Sequence, residues 1–449
     1  MNLLQDAAFR ASVYLDGLDE RKVAPDADAV AALDALDMPL PETPTPAADV
    51  LAQLDHYGSP ATMAMAGSRF FGFVIGGALP AALAANWLAS AWDQNTCYYN
   101  ATPTTARLEQ IALRWLLNLL HLPRDCGGAF VTGASVANFV AIAAARHSVL
   151  ERVGWKVESD GLFGAPPITV IVGAEVHPTL LKALGMLGLG RDRVVRVPAD
   201  DQGRMRVDAL PAVTGPTIVC AQVGNVNSGA CDDVASIRAR VGAEAWLHVD
   251  GAFGLWARVA PSMRSTIVHG VELADSWATD AHKWLNVPHD SGVAFVRDAN
   301  ALSASMAIAA EYLPTDSPWR NPSDFTPELS RRARGVDIWA ALRTLGRSGV
   351  TEMIERNCRQ ARRFAEVLRA AGFEVLNDVV LNQVLVTFGD AARTQRVIAA
   401  IQADGTCWCG GTVWQGRTAM RISVSSWATT DANVERSVEA IVRIATATR

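Results

Sequence analysis

Short apolar runs alternate with helical stretches through the middle of this chain, and few architectures accept that order. The runs fall at residues 129–132, 168–172, 194–197, 217–223, 246–249 and 292–296. They are mostly apolar along their length rather than on alternate residues, as strands buried on both faces are. Joined through helices, such strands predict an α/β domain with a largely parallel central sheet. An amphipathic helix opens the region at Ala106-Arg107-Leu108-Glu109-Gln110 and runs through Leu120. After Val336 a long helical stretch leads to strands at 379–388 and 419–424 flanking a helix at 391–402, which predicts a smaller α+β domain. Before about residue 60, helical patches are broken by Pro39, Pro41, Pro44 and Pro46, the composition of an arm on a stiff linker. The expected division is an arm at 1–60, a large domain at 61–345 and a small domain at 346–449.

At 449 residues, half of them apolar and 19% charged, the chain can bury a large core. A net charge of −6 offers no basic field for nucleic acid or an anionic membrane surface. The one dense basic patch, Arg331-Arg332-Ala333-Arg334, reads as a solvated or ion-paired helix face. Seven scattered cysteines without a CxxC pair read as buried free thiols in a reducing cytosol, with no metal site. Cys407 and Cys409 have the spacing of two thiols on one side of a strand. The start of the chain has no basic segment leading into an apolar run, so no secretion signal is expected. Residues 70–92 carry no charge, but Gly72, Gly76, Gly77 and Pro80 interrupt them. They are expected to form a loop entering a buried helix rather than a membrane span.

Chemistry-bearing residues gather where the strands end. Thr132-Gly133-Ala134-Ser135-Val136-Ala137-Asn138 joins a strand to a helix. Its small residues let backbone approach an anion, and the helix start offers unpaired N–H groups, so Gly133, Ala134 and Ser135 form a candidate phosphate cradle. His177 and the turn Gly224-Asn225-Val226-Asn227-Ser228-Gly229 each follow a strand. Asp250 ends His248-Val249-Asp250-Gly251-Ala252, and Lys283 stands some thirty residues on, in Asp280-Ala281-His282-Lys283-Trp284. A lysine amine forms a Schiff base with a cofactor aldehyde, and a carboxylate keeps a pyridine nitrogen protonated. That pair suits pyridoxal 5′-phosphate (PLP), and a flat imidazole such as His177 could stack on its ring. Taken singly, each residue has a plainer use. The cradle could be a helix cap, His177 a packed side chain, Asn225 a turn former and Lys283 a surface lysine. Their joint placement at strand ends, where open α/β sheets bind ligands, argues for a site.

From about Ser68 to its end, the chain resembles the group II PLP-dependent amino-acid decarboxylases. The resemblance rests on Arg69-Phe70-Phe71, Thr132-Gly133-Ala134-Ser135, His248-Val249-Asp250 and His282-Lys283-Trp284, in that order and spacing. It implies PLP fold type I, like aspartate aminotransferase, working as a cytoplasmic homodimer. Lys283 would be the Schiff-base lysine, Asp250 the pyridinium partner and His177 the ring-stacking residue. Ala134, Ser135 and His282 would hold phosphate, and Ala252 would pack the opposite ring face. Gly133 and Asn225 complete the expected cofactor set. Arg421, in Met420-Arg421-Ile422-Ser423, matches an arginine near the substrate carboxylate. Phe73 falls in the substrate-pocket segment, which lacks the hydroxyl or amide groups of several relatives. Tyr98, with Thr96 and Cys97, falls where relatives project side chains across the dimer interface.

Two departures stand out. Relatives often have Asn-Pro where this chain has Asp280-Ala281, and Asp280 is left out of the phosphate set because a carboxylate beside phosphate is unfavourable unless it points away. The loop expected to carry a catalytic tyrosine has only Tyr312, at its start, and Phe325 falls near the tyrosine's place. The implied reaction is decarboxylation of an L-amino acid to an amine and carbon dioxide. Transamination, β-elimination, oxidative decarboxylation to an aldehyde, and a non-catalytic PLP carrier remain as alternatives.

Overall fold

The structure is a computed structural model that describes residues 2–308 and 319–448. The chain forms two compact units. One comprises Met1–Gly77, Gln360–Leu376 and Val384–Arg449, and the other comprises Ala78–Arg359 and Asn377–Gln383.

The larger unit is built on seven strands: β1 (Gly127–Val131), β2 (Thr169–Gly173), β3 (Val195–Val197), β4 (Thr217–Gln222), β5 (Trp246–Asp250), β6 (Ser276–Asp280) and β7 (Gly292–Val296). Their order is β1-β7-β6-β5-β4-β2-β3. Only β7 runs against its neighbours, so the central sheet is largely parallel, as fold type I requires. Every residue of β1, β5, β6 and β7 is buried, which explains their apolar composition.

The sequence reading missed β6. Its residues Ser276-Trp277-Ala278-Thr279-Asp280 form no apolar run, because two residues of one face, Ser276 and Asp280, carry polar groups that bond to neighbouring elements. Helix Ala134–Glu151 packs on β5, β6 and β7. Its buried Ala137, Ala141, Ala144 and Ala145 let the helix backbone lie close to the sheet.

The smaller unit holds a four-stranded sheet of β8 (Glu374–Val375), β9 (Gln383–Thr387), β10 (Gly410–Trp414) and β11 (Arg417–Ser423), in the order β10-β11-β9-β8. Helices Ala391–Asp404 and Asp431–Ala447 accompany it. Phe70 stacks on Trp408 with ring centroids 5.0 Å apart, and the Phe71 N–H donates to the Trp408 carbonyl.

Other expectations meet the structure as follows. Helix Pro80–Trp92 buries only Ala82, and it exposes Trp87, Leu88 and Trp92, so it is not a buried helix in the single chain. Among the described residues no helix is long and apolar enough to cross a membrane. The basic patch is ion-paired, the second of its two expected readings, but most of it precedes the helix rather than lying on its face. Arg331 precedes helix Arg334–Ala370 and is fully buried, 2.7 Å from Glu109, which is equally buried. Arg334 pairs with Asp290. All seven cysteines are free and buried; Cys407 and Cys409 stand on an extended segment just before β10 and hydrogen-bond to each other. Phe325 ends the short helix Pro322–Phe325 with the Arg320 guanidinium 4.0 Å above its ring. Tyr312 lies outside the described residues.

Candidate active site

The C-terminal ends of β1, β2, β4, β5 and β6 open on one edge of the large sheet, and the start of β7 meets them there. A cavity of about 310 Å³ lies at this edge. Its wall includes Gly133, Ala134, Ser135, His177, Asp250, Ala252, His282 and Lys283. The fold thus gathers eight of the nine residues expected to bind cofactor, from segments up to 150 residues apart.

Close packing explains the glycine at the helix start. A Cβ on Gly133 would lie 3.2 Å from Asp280 Oδ1 and from His282 Cε1. From the other side, a Cβ on Gly292 would approach Gly133 Cα to 2.5 Å. The turn between β1 and helix Ala134–Glu151 can therefore sit against β7 only with glycine at 292, while a side chain at 133 would make Asp280 and His282 give way by a few tenths of an ångström.

Asp280, left out of the expected phosphate set, does not point away from the helix start. Its Oδ1 accepts the Ala134 backbone N–H at 2.5 Å, and its Oδ2 lies 2.9 Å from Lys283 Nζ. A carboxylate, almost fully buried, thus stands at the helix start where an anion is favoured. His282 is fixed from the other side. The Ser291 N–H donates to His282 Nδ1 at 3.1 Å, so the neutral ring carries its proton on Nε2, which is 3.6 Å from Asp280 Oδ1. Burial holds the His282 imidazole below the usual histidine range, and His289 stacks on it at 4.3 Å.

Asp250 ends β5. Burial raises its proton affinity; the charges of His177 and Lys283 oppose that, as do the Ala252 N–H and the Asn138 amide. Ala252 donates to Asp250 Oδ1 and Asn138 to Oδ2, each at 3.2 Å. His177 caps helix Pro178–Met186, its Nδ1 accepting the Thr179 N–H at 3.3 Å.

Other expected residues lie elsewhere. Asn225 is not on the cavity wall. Its Oδ1 accepts the N–H of Asn227 and Ser228, and its amide donates to Gln222, so it shapes the turn while Gln222 reaches the cavity. Tyr98 precedes helix Pro103–Leu119 and is also off the wall. Phe73 and Arg421 belong to the smaller unit. Phe73 is exposed beside Trp408, and Arg421 is half-buried on β11. Thr179, Gln222, Phe253 and Asp280 line the cavity without having been singled out for it.

The wall fits PLP. A backbone cradle that a single Cβ would close, a lysine amine and a buried carboxylate at a strand end are the donor set that a phosphate, an aldehyde and a pyridine nitrogen require.

Residues 32–389 match the family model described as the pyridoxal-dependent decarboxylase conserved domain. Tryptophan decarboxylase 1 of Oryza sativa is 30% identical over 440 residues, covering 88% of this chain and 82% of that protein. The L-2,4-diaminobutyrate decarboxylase of Rhizobium meliloti is 30% identical over 439 residues, covering 91% and 84%. Among solved structures, the Oryza sativa TDC with PLP and tryptamine superposes with a TM-score of 0.89 at 26% identity, covering 99% of this chain and 97% of that one.

Proposed function

The chain belongs to the pyridoxal-dependent decarboxylase family, a PLP-dependent carboxy-lyase, and from that premise we propose that it converts an L-amino acid to the corresponding amine and carbon dioxide. The observation that carries this reading is the meeting of Lys283, Asp250 and the start of helix Ala134–Glu151 in one cavity. When bound, PLP supplies an aldehyde that takes up amines and a ring that accepts the electrons of a broken Cα bond.

Each side chain then has a task. Lys283 holds the cofactor and yields its place to the substrate amine. Asp250 keeps a proton on the pyridine nitrogen. The start of helix Ala134–Glu151 with Ser135 holds the phosphate beside His282, next to the Asp280 carboxylate that takes the Ala134 N–H, while His177 and Ala252 enclose the ring. Arg421 is the residue that the family resemblance assigns to the substrate carboxylate. Burial lowers its proton affinity, and among the described residues no carboxylate pairs with it, which suits a cation that awaits an anion. Of the proton carriers on the wall, Lys283 and His177 are the ones proposed to replace the departing carbon dioxide with hydrogen.

The protein is proposed to act as a homodimer, because Trp87, Leu88 and Trp92 expose apolar surface along one helix. A cytoplasmic setting suits seven free thiols. A second reading, oxidative decarboxylation to an aldehyde, draws on a relative from Arabidopsis thaliana, phenylacetaldehyde synthase, 26% identical over 366 residues.

Borohydride reduction followed by peptide mapping tests the assignment. The reduced cofactor is expected on Lys283, and Lys283→Ala is expected to lose both the adduct and turnover. An adduct on Lys22, Lys156 or Lys182 would overturn it. Carbon dioxide release across a panel of amino acids then identifies the substrate.

A further inference from the structure

Trp246, His248 and Asp250 alternate along β5 and so share one face of the sheet. Helix Ala134–Glu151 packs on β5 and brings Asn138 to Asp250, while on β6 Ser276 stands opposite His248. All five side chains are buried, Asn138, His248 and Ser276 completely. Their polar atoms form one continuous run. Trp246 Nε1 lies 2.8 Å from Ser276 Oγ, and that oxygen lies 2.9 Å from His248 Nδ1. His248 Nε2 lies 2.8 Å from Asn138 Oδ1, and Asn138 Nδ2 lies 3.2 Å from Asp250 Oδ2.

The two ends fix every direction between them. An indole N–H can only donate, and an ionised carboxylate can only accept. Asn138 must therefore turn its amide nitrogen to Asp250 and its oxygen to His248. His248 must carry its proton on Nε2, which leaves Nδ1 to accept the Ser276 hydroxyl proton. Ser276 in turn accepts from Trp246. Burial pushes the His248 imidazole down to about 3, so the ring is neutral at neutral pH, as this arrangement needs.

We infer that Asn138 and His248 are positioning residues, which deliver a one-way chain of donors onto Asp250 and so keep the proton it shares with the cofactor on the pyridine nitrogen. This rests on the PLP reading of the cavity. Burial makes a carboxylate a stronger base, and a stronger base would draw the proton off the ring and weaken the electron sink. Each bond in an aligned chain polarises the next, so the last donor is stronger than a lone amide. The Ala252 N–H acts on the other carboxylate oxygen, and Asn138 gives Asp250 a side-chain donor on Oδ2. A merely structural pair would hold the helix to the sheet without changing the protonation of the cofactor nitrogen.

The test uses two readouts. In apoprotein carrying ¹⁵N-labelled histidine, His248 is expected to be neutral with its proton on Nε2 from pH 6 to pH 8. A proton on Nδ1, or a charged ring, reverses the chain and overturns the proposal, whatever the cofactor does. In holoenzyme loaded with ¹⁵N-labelled PLP, the wild type is expected to show a protonated pyridine nitrogen. Asn138→Ala and His248→Phe should shift that signal toward the unprotonated position and lower kcat about tenfold with KM little changed, the effect of about one pKa unit. His248→Gln can both accept from Ser276 and donate to Asn138, so it should restore the wild-type signal. A fully protonated nitrogen in both disrupted variants sinks the proposal even if activity falls. Wild-type protein that takes up no PLP would instead defeat the cofactor assignment, and the apoprotein measurement would still report on the chain.

Discussion

The Asp280 carboxylate accepts the Ala134 backbone N–H at 2.5 Å, at the start of the helix whose dipole favours an anion. The cofactor phosphate is proposed to use the same helix start, so the protein already holds an anion where its ligand's anion must go. At about 4 Å, two like charges repel by roughly 4 kcal/mol at an effective dielectric of 20, and solvent reduces that. Asp280→Asn is therefore expected to bind PLP about tenfold more tightly, measured by equilibrium dialysis of the apoprotein. Weaker binding by the variant would mean that Asp280 serves the site chiefly by pairing with Lys283.

Asp250→Asn keeps the shape of the side chain and removes its charge. The variant is expected to lose roughly a hundredfold or more in kcat, with a smaller loss in PLP affinity, because the charge acts on the ring's capacity to take electrons. Paired measurements of kcat and PLP affinity decide the matter. Normal turnover would remove Asp250 from the mechanism.

Stability should carry a pH signature from Asp232. This carboxyl is wholly buried, and burial pushes it up to about 6 although it accepts the N–H groups of Gln222 and Met205. A folded-state value above the unfolded one makes protonation stabilising, so the contribution is present below about pH 4 and is lost as pH rises through 6. His248, held near 3, works in the opposite sense: its contribution is present above 6.5 and is lost as pH falls. Comparison with Asp232→Asn isolates the carboxyl. Between pH 5 and pH 7 the wild type is expected to lose about 1 kcal/mol relative to the variant in urea unfolding. Parallel pH profiles for the two proteins would refute the assignment.

Product and oxygen balance separate the two proposed reactions. Phe325 carries no acidic proton, and it is packed beneath Arg320. With Lys283 and His177 on the cavity wall, amine is expected without oxygen uptake. Aldehyde, ammonia and hydrogen peroxide in equal amounts would establish the oxidative reaction instead.

Trp87, Leu88 and Trp92 lie within two turns of one helix and are 43%, 56% and 41% exposed. Leu88→Glu should turn a dimer into a monomer in sedimentation velocity, because a buried charge without a partner costs several kcal/mol. A wild-type monomer with full activity would rule out the dimer.

The larger unit's strand pattern and the cofactor were legible in the sequence because they rest on local order, and most residues of the expected cofactor set meet at one cavity. Apolar runs declare buried strands, glycine beside small residues declares a close backbone approach, and Lys283 with Asp250 declares PLP chemistry by residue type. What resisted reading was whatever depends on a partner far along the chain. β6 has no apolar run because two of its residues spend their side chains on other elements, Ser276 on His248 and Asp280 on Ala134. Asn225 looked like a ligand until its own turn was seen to use both ends of its amide.

Sequence by itself determined the residue types that can do this chemistry and the strand ends that carry them. Only the tertiary structure decided that Asp280 turns inward and that Asn138 joins His248 to Asp250. A hydrogen bond forms across three ångströms of space, and neither composition nor spacing measures the distance between residues more than a hundred positions apart.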